Sequence, residues 1–326
     1  MKKPTVLLVD GNNLFYAAYN AYSRLNYQRK NGDYHGSGGI YGFPHMLKKL
    51  MSITKADKVE IFWDDKSHKF RLKLNPNYRK RDESKARRDI NWDDFNSQKE
   101  ELKRLLNAMA FTQFWKKGFE ADDLLAARVY KHREEAEKVI ISSTDKDFYQ
   151  LLDRPNTVIY SRNKKGKDKW ITAKSLKEPG KFTGYEVYQS IDYLCLIGDS
   201  SDRIEGYRGV GPATARKFLS EFGRIEDFLH KAEKWKMITA SKLEPLYYRN
   251  AKLISLAYFY RKYTSKMKPK EYAYKGIIKP SFKPNRINNI LNKYSIKSMN
   301  DPKFIKELTG HSYGKAKKKK VKGQDV

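Results

Sequence analysis

TVLLVDGNN (residues 5–13) decides the fold. A short, nearly continuous apolar run that stops at Asp10–Gly11 reads as a strand buried on both faces, with a turn at its carboxyl end. Three further runs repeat the pattern: KVEIFWD (58–64), KVIISSTD (138–145) and NTVIYS (156–161). Between them, helical spacing covers Ile40–Ile53, Trp92–Ala110 and Ala121–Glu137. Strands alternating with helices of this length predict an α/β fold, a mostly parallel central sheet with helices on both faces. In such sheets the functional crevice lies at the carboxyl ends of the strands.

That rule gives meaning to the acidic residues. Asp10 closes the first run, Asp64 the second and Asp145 the third, with Asp147 two residues on. The stretch EADDLLA (120–126) sets Glu120, Asp122 and Asp123 at a helix start, where exposed N–H groups favour anions. GDSSDRI adds Asp199 and Asp202 from the following helical region. Each aspartate alone is as easily a cap or turn residue. As a set they place many like charges at one sheet edge, which raises their pKa values and resists burial unless a cation offsets them. No Cys or His stands nearby at zinc-ligand spacing. All-carboxylate sites suit hard divalent cations such as Mg2+ or Mn2+, and two such ions support in-line attack on a phosphodiester.

Composition points to the same substrate class. The 326 residues carry 68 Lys+Arg against 38 Asp+Glu, a formal net charge of +30, with 39% hydrophobic and 13% aromatic residues. A folded chain so basic expects a polyanionic partner, nucleic acid ahead of membrane. No apolar run reaches the roughly 18 residues a membrane span needs, and the N-terminal run breaks too early for a signal peptide. The expected location is therefore cytoplasmic. The single cysteine, Cys195, lies in an apolar stretch and reads as a packed core thiol.

From about Tyr185 the pattern is helical only. EGYRGVGPATARKFLSEFG (205–223) places Gly209 and Gly211 around Val210 and sets Pro212 for the first helical position, the helix-hairpin-helix pattern of a DNA-backbone grip. The segment KSHKFRLKLNPNYRKRDESKARRDINW (66–92) holds nine Lys/Arg between Lys69 and Arg88, interspersed with aromatic residues. It reads as a mobile basic arch over single-stranded nucleic acid, with a solvated loop as the alternative. Expected DNA contacts are Arg71, Tyr78, Arg79, Lys80 and Arg81 in the arch and Gly209, Val210, Gly211, Thr214 and Lys217 at the hairpin. Asn12 and Asn13 are read as caps of the first helix, and Tyr16 and Tyr22 as packing or base-stacking residues. The end, with six lysines between 315 and 322, reads as a disordered tail. It either binds nucleic acid or an acidic partner such as a single-strand-binding protein, or serves only solubility.

The motifs VDGNN, HGSGGIYGF, FWDD, FRLKLNPNYRKRDE, EADDLLA, SSTDKDFYQLL and IGDSSDRIEGYRGVGPATA occur in this order over roughly residues 5 to 225. In this the chain resembles the 5′-nuclease family: flap endonucleases, bacteriophage 5′ exonucleases and the 5′ nuclease domains of bacterial DNA polymerase I. The resemblance implies a PIN-like nuclease core over 1–184 with the arch at 66–92, a helical DNA-binding region over 185–310 and the tail over 311–326. One metal position would be held by Asp10, Asp64, Glu120 and Asp122. A second would be held by Asp145, Asp147 and Asp199, with Asp122 shared and Asp123 and Asp202 acting through water. It also implies K+ at the hairpin turn. One departure matters: Tyr78 is followed by Arg79, Lys80 and Arg81, where many relatives carry Lys directly after the tyrosine. Which of the three contacts the scissile phosphate stays open.

The activity implied is a structure-specific 5′ nuclease, exonuclease and flap endonuclease, acting in replication on flaps, nicks, 5′ ends and RNA primers. Its partners would be branched DNA and RNA-DNA hybrid, and nothing requires more than a monomer. The alternatives are a non-catalytic branched-DNA-binding protein and a PIN-like ribonuclease.

Overall fold

A computed structural model describes residues 2–28, 34–65, 67, 69–80, 90–162, 168–268, 271 and 280–311. By contact the chain falls into two units. The first comprises residues 1–13, 54–89 and 113–278, the second 14–53, 90–112 and 279–326.

The first unit is built on a six-stranded sheet in the spatial order Thr112–Phe114, Lys58–Phe62, Thr5–Asp10, Lys138–Ser142, Thr157–Arg162 and Asp168–Ile171. Strand Thr5–Asp10 pairs in parallel with Lys58–Phe62 and with Lys138–Ser142, and the latter in parallel with Thr157–Arg162. Asp168–Ile171 returns antiparallel at the edge. The α/β, mostly parallel sheet expected from the apolar runs is therefore the fold. Val6, Leu8, Val139, Ile141 and Ile159 are buried against Leu124, Leu125 and Val129 of the helix Ala121–Glu135. Chain order reverses on either side of the first strand, so the crevice of this sheet lies at the carboxyl ends of Thr5–Asp10 and Lys138–Ser142.

Helices Ser190–Ile197, Pro212–Phe222, Ile225–Lys231 and Ala240–Ile254 enclose a second apolar cluster around Tyr193, Phe218, Phe228 and Leu243. This region is not purely helical. Two small antiparallel ribbons interrupt it, Gly198–Asp199 with Ile204–Glu205 and Lys234–Trp235 with Ile238–Thr239. Asp199 and Asp202 thus sit on a β-turn ribbon rather than on a helix. Two-residue strands leave no periodicity to read.

The second unit is mostly helical, with Gly38–Thr54, Trp92–Ala108, Pro284–Lys293 and Pro302–Thr309 and a ribbon pairing Tyr27 with His35. Its glycines serve close packing. A Cβ on Gly39 would lie 2.5 Å from Phe15, and one on Gly42 2.4 Å from Tyr22. Tyr22 meets Tyr41 edge-on at 5.2 Å, and Tyr16 lies 6.3 Å from Phe95, so both tyrosines have packing partners here. By contact, residues on both sides of 184 belong to one unit, and Lys279 onward joins residues 14–53. The expected tail beyond residue 311 lies outside the described residues.

Candidate active site

Asp10 is the last residue of its strand and is buried. One carboxylate oxygen accepts the backbone N–H of Asn13 at 3.0 Å, and the other accepts the Ser143 hydroxyl at 3.0 Å. The helix begins at Gly11, so Asp10 caps it, not Asn12 or Asn13 as expected. Asn13 instead donates its side-chain amide to the Thr144 hydroxyl at 2.6 Å. Asp64 follows the second strand by two residues and accepts the N–H of Ala121 at 2.7 Å, which ties the strand end to the next helix.

Glu120 is the N-cap of that helix, and Asp123 accepts the Glu120 backbone N–H at 3.1 Å in a capping box. Asp122 lies in the first turn and is buried. Asp145 caps the 3₁₀ turn Lys146–Leu151 by accepting the N–H of Asp147 at 2.9 Å. Carboxylate oxygens of Asp147, Asp199 and Asp202 lie within 4.8 Å of one another.

Electrostatics join these groups into one site. Burial, then Asp64 and Asp145, push Asp10 up to about 7. Burial, then Asp145, Asp10 and Asp64, hold Asp122 well above the carboxylate range. Burial also raises Asp145, with Asp202 adding to it, and raises Asp147 strongly, with Asp145, Asp202 and Asp199 adding to it. Asp199 behaves differently. Burial would raise it, but the Lys146 ammonium and the Ser201 hydrogen bonds bring it below its ordinary value. Lys146 donates to Asp199 at 2.5 Å and lies 3.8 Å from Asp147. Lys146 stands outside the sequence expectations, and its one signal in the sequence is its place between two aspartates in TDKD.

Residues 66, 68 and 81–89 of the expected arch lie outside the described residues, and the described part packs against the acids. Lys69–Leu74 is a helix, and Arg71 is buried, with its guanidinium forked onto Asp123 at 2.9 and 2.8 Å. The same group lies 3.3 Å from Glu120, donates to the Leu253 carbonyl at 3.1 Å and stacks 4.0 Å over Phe259. Tyr78 is buried too, and its hydroxyl lies 3.2 Å from Glu120 and 3.1 Å from Asp202. Arg71 and Tyr78 therefore face inward and brace the acids instead of offering a surface to DNA. Both Asp123 oxygens accept from Arg71, and one also accepts the Glu120 backbone N–H, so Asp123 positions the helix start.

Arg79 bridges the two acidic groups, 2.8 Å from Asp202 and 3.4 Å from Glu120. Lys80 is exposed, and Arg81 lies outside the described residues. At the hairpin, Gly211 is the N-cap and Pro212 the first residue of the helix, and Gly209 holds φ +81, where a side chain would be strained. Val210 is buried, Thr214 half-buried and Lys217 exposed, so Lys217 is the accessible cation among the expected hairpin contacts. Cys195 is buried, as a core thiol.

The fold and site define a class: an α/β protein with a buried, mutually repelling carboxylate cluster at its sheet's switch point. Residues 5–179, more than half of the chain, match the family described as 5′-3′ exonuclease, N-terminal resolvase-like domain, and residues 185–277 match 5′-3′ exonuclease, C-terminal SAM fold. The chain belongs to the 5′-3′ exonuclease family. It is 31% identical over 231 residues to DNA polymerase I of Mycobacterium tuberculosis, covering 71% of this chain and 24% of that protein. It is 31% identical over 241 residues to thermostable DNA polymerase I of Thermus aquaticus, covering 74% of this chain and 27% of that protein. The chain thus spans about a quarter of these relatives. Its fold is similar to that of the bacteriophage T5 flap endonuclease in a complex with DNA and metal ions, with TM-score 0.64 and 22% identity, covering 89% of this chain and 99% of that one.

Proposed function

We propose that this chain hydrolyses phosphodiesters of DNA and RNA-DNA hybrid at 5′ ends, flaps, nicks and RNA primers during replication, with two divalent ions, Mg2+ or Mn2+. The observation that carries the reading is the pairing of Asp10 and Asp122: both are buried, both repel Asp64 and Asp145, and both are pushed far up in pKa without a cation. A carboxylate set of this kind fits hard divalent ions. Asp10, Asp64, Glu120 and Asp122 would hold one ion and Asp145, Asp147 and Asp199 the other, with Asp202 reaching it through water.

Bound there, the ions would supply an activated water and charge neutralisation on the leaving oxygen. The chain's own residues do the rest. Arg71, Asp123 and Tyr78 fix Glu120 at the helix start. Arg79 would meet a phosphate beside the acids it bridges, with Lys80, exposed next to it, as the second candidate and Arg81 as the third. Lys146 holds Asp199 in place and limits negative charge around Asp147. The hairpin at 209–211 with Lys217 would hold the duplex backbone through N–H groups and a cation, with K+ on the turn's carbonyls. Among the described residues no helix is long and apolar enough to cross a membrane, and we place the activity in the cytoplasm of a bacterial or phage-infected cell, as a monomer.

The test is side-by-side cleavage of a labelled 5′-flap duplex, a nicked duplex and an RNA-primed duplex in Mg2+. Cleavage near the junction or 5′ end is expected. Absence of cleavage on every substrate in both Mg2+ and Mn2+ overturns the reading.

A further inference from the structure

The ribbon Lys234–Trp235/Ile238–Thr239 has no task in the function proposed above, yet its tip is the most exposed large apolar point of the described residues. Met237 is 53% exposed, and Lys234 and Lys236 beside it are exposed as well. Lys236 holds φ +51, a left-handed conformation that a lysine adopts only where the surrounding chain enforces it.

The tip is held firmly. Trp235 is buried against Phe218, 5.5 Å between ring centres, and donates its indole N–H to Glu221 at 2.8 Å. Tyr207 ties the ribbon to the hairpin turn. Its carbonyl accepts the Val210 N–H at 3.0 Å and closes the turn, while its hydroxyl donates to the Met237 carbonyl at 3.1 Å and accepts the Thr239 N–H at 3.1 Å. The two loops touch: a Cβ on Gly209 would lie 3.0 Å from the Met237 sulfur. Turn and ribbon are thus one rigid surface, and its exposed cations are Arg208, Lys217, Lys234 and Lys236.

A backbone-gripping turn and an apolar point flanked by lysines complement adjacent parts of a duplex. Phosphates take the cations, and sugars and base edges in the minor groove take an adaptable apolar side chain. We infer that the ribbon tip 234–237 is a second duplex contact, continuous with the hairpin: Lys234 and Lys236 on phosphates and Met237 in the minor groove. The inference rests on the nuclease reading, because that reading supplies the duplex.

The experiment measures full-chain binding to a labelled 5′-flap duplex and to a single strand of equal length, without divalent metal, over a salt series. Replacing both Lys234→Gln and Lys236→Gln should lower the salt slope by about two, one per phosphate contact. Lys169→Gln with Lys174→Gln, an exposed pair elsewhere in the same unit, should leave it unchanged. Met237→Ala should weaken duplex binding roughly threefold and leave single-strand binding as it was. An unchanged slope in the ribbon pair, an equal fall in the control pair, or equal loss on single strands for Met237→Ala overturns the inference. Failure of the unaltered protein to bind the duplex or to cut it in Mg2+ sinks the nuclease reading instead.

Discussion

One strand and one helix carry buried acids of two opposite kinds. Glu60, in the strand Lys58–Phe62, is fully buried, and Arg128 donates to its oxygens at 2.8 and 2.6 Å while His132 lies 3.1 Å away. Burial would raise Glu60, but Arg128 and His132 overrule it and hold the carboxyl far below its ordinary value. At the amino end of the same helix, Asp122 is buried beside other carboxylates and driven the opposite way. This protein therefore contains the ordinary solution for a buried acid, a forked arginine, within two turns of a place where that solution is not used. The Arg71–Asp123 fork repeats the point one residue from Asp122. Carboxylates that repel one another at the strand ends, offset only in part by Arg79 and Lys146, are what a site for external cations requires.

The sharpest way to break this contrast is Asp122→Asn. If the unmatched charge serves metal, cleavage in Mg2+ should fall by about four orders of magnitude or more in single-turnover assays. The metal-free protein should meanwhile melt higher near neutral pH, because the folded state no longer has to take up a proton to bury this carboxyl. A lower melting temperature without metal would show that Asp122 is matched after all. Glu60→Gln should do the reverse: it leaves Arg128 buried without its counterion, at about 3–5 kcal/mol of stability read from the urea midpoint, with metal affinity unchanged. Opposite signs of the two stability changes are the signature; equal signs would erase the distinction.

Much of this arrangement was legible in the sequence because it is local. Buried parallel strands show as apolar runs, and Asp10, Asp64 and Asp145 stand where those runs stop, so the parallel sheet and the gathering of acids at its carboxyl edge follow from one rule. What was not legible depends on which way a side chain turns. Arg71 and Tyr78 sit in a strongly basic stretch, and composition gives no sign that these two fold inward to Glu120 and Asp123 while Lys80 stays out. The hint available was Arg71 and Leu74 three apart on a short helix, with Leu74 packing on the apolar cluster around Tyr193. The joining of Lys279 onward with residues 14–53 is non-local and has no local signature at all.

A graded test separates the two kinds of acid by pH. Asp10 holds its proton up to about 7 in the folded protein, against an ordinary value of 3.8. Between those values the native state keeps a proton that the unfolded chain has released, so metal-free stability falls as pH rises from about 4 to about 7 and levels off above. Metal uptake must expel that proton, so affinity for Mn2+ should climb through the same window. The melting temperature of the protein minus that of Asp10→Asn, followed in chelator across this range, isolates the group. A difference that rises with pH would mean Asp10 is matched by a cation, as Glu60 is.

The smallest effect concerns the hydroxyl that links the matched and unmatched groups. Tyr78 lies 3.2 Å from Glu120 and 3.1 Å from Asp202, and its buried O–H can donate to only one carboxylate at a time. Tyr78→Phe keeps the ring between the arginines, 5.8 Å from Arg71 and 5.6 Å from Arg79, and removes only that donor. The loss should be about 1–3 kcal/mol without metal, because an acceptor is left unsatisfied in a buried site. With Mg2+ bound the loss should shrink, since an ion takes over part of the charge on Glu120. Chemical denaturation of both proteins with and without Mg2+ measures the difference directly: an equal loss in both conditions would place Tyr78 with the matched, purely structural pairs, beside Arg128 and Glu60.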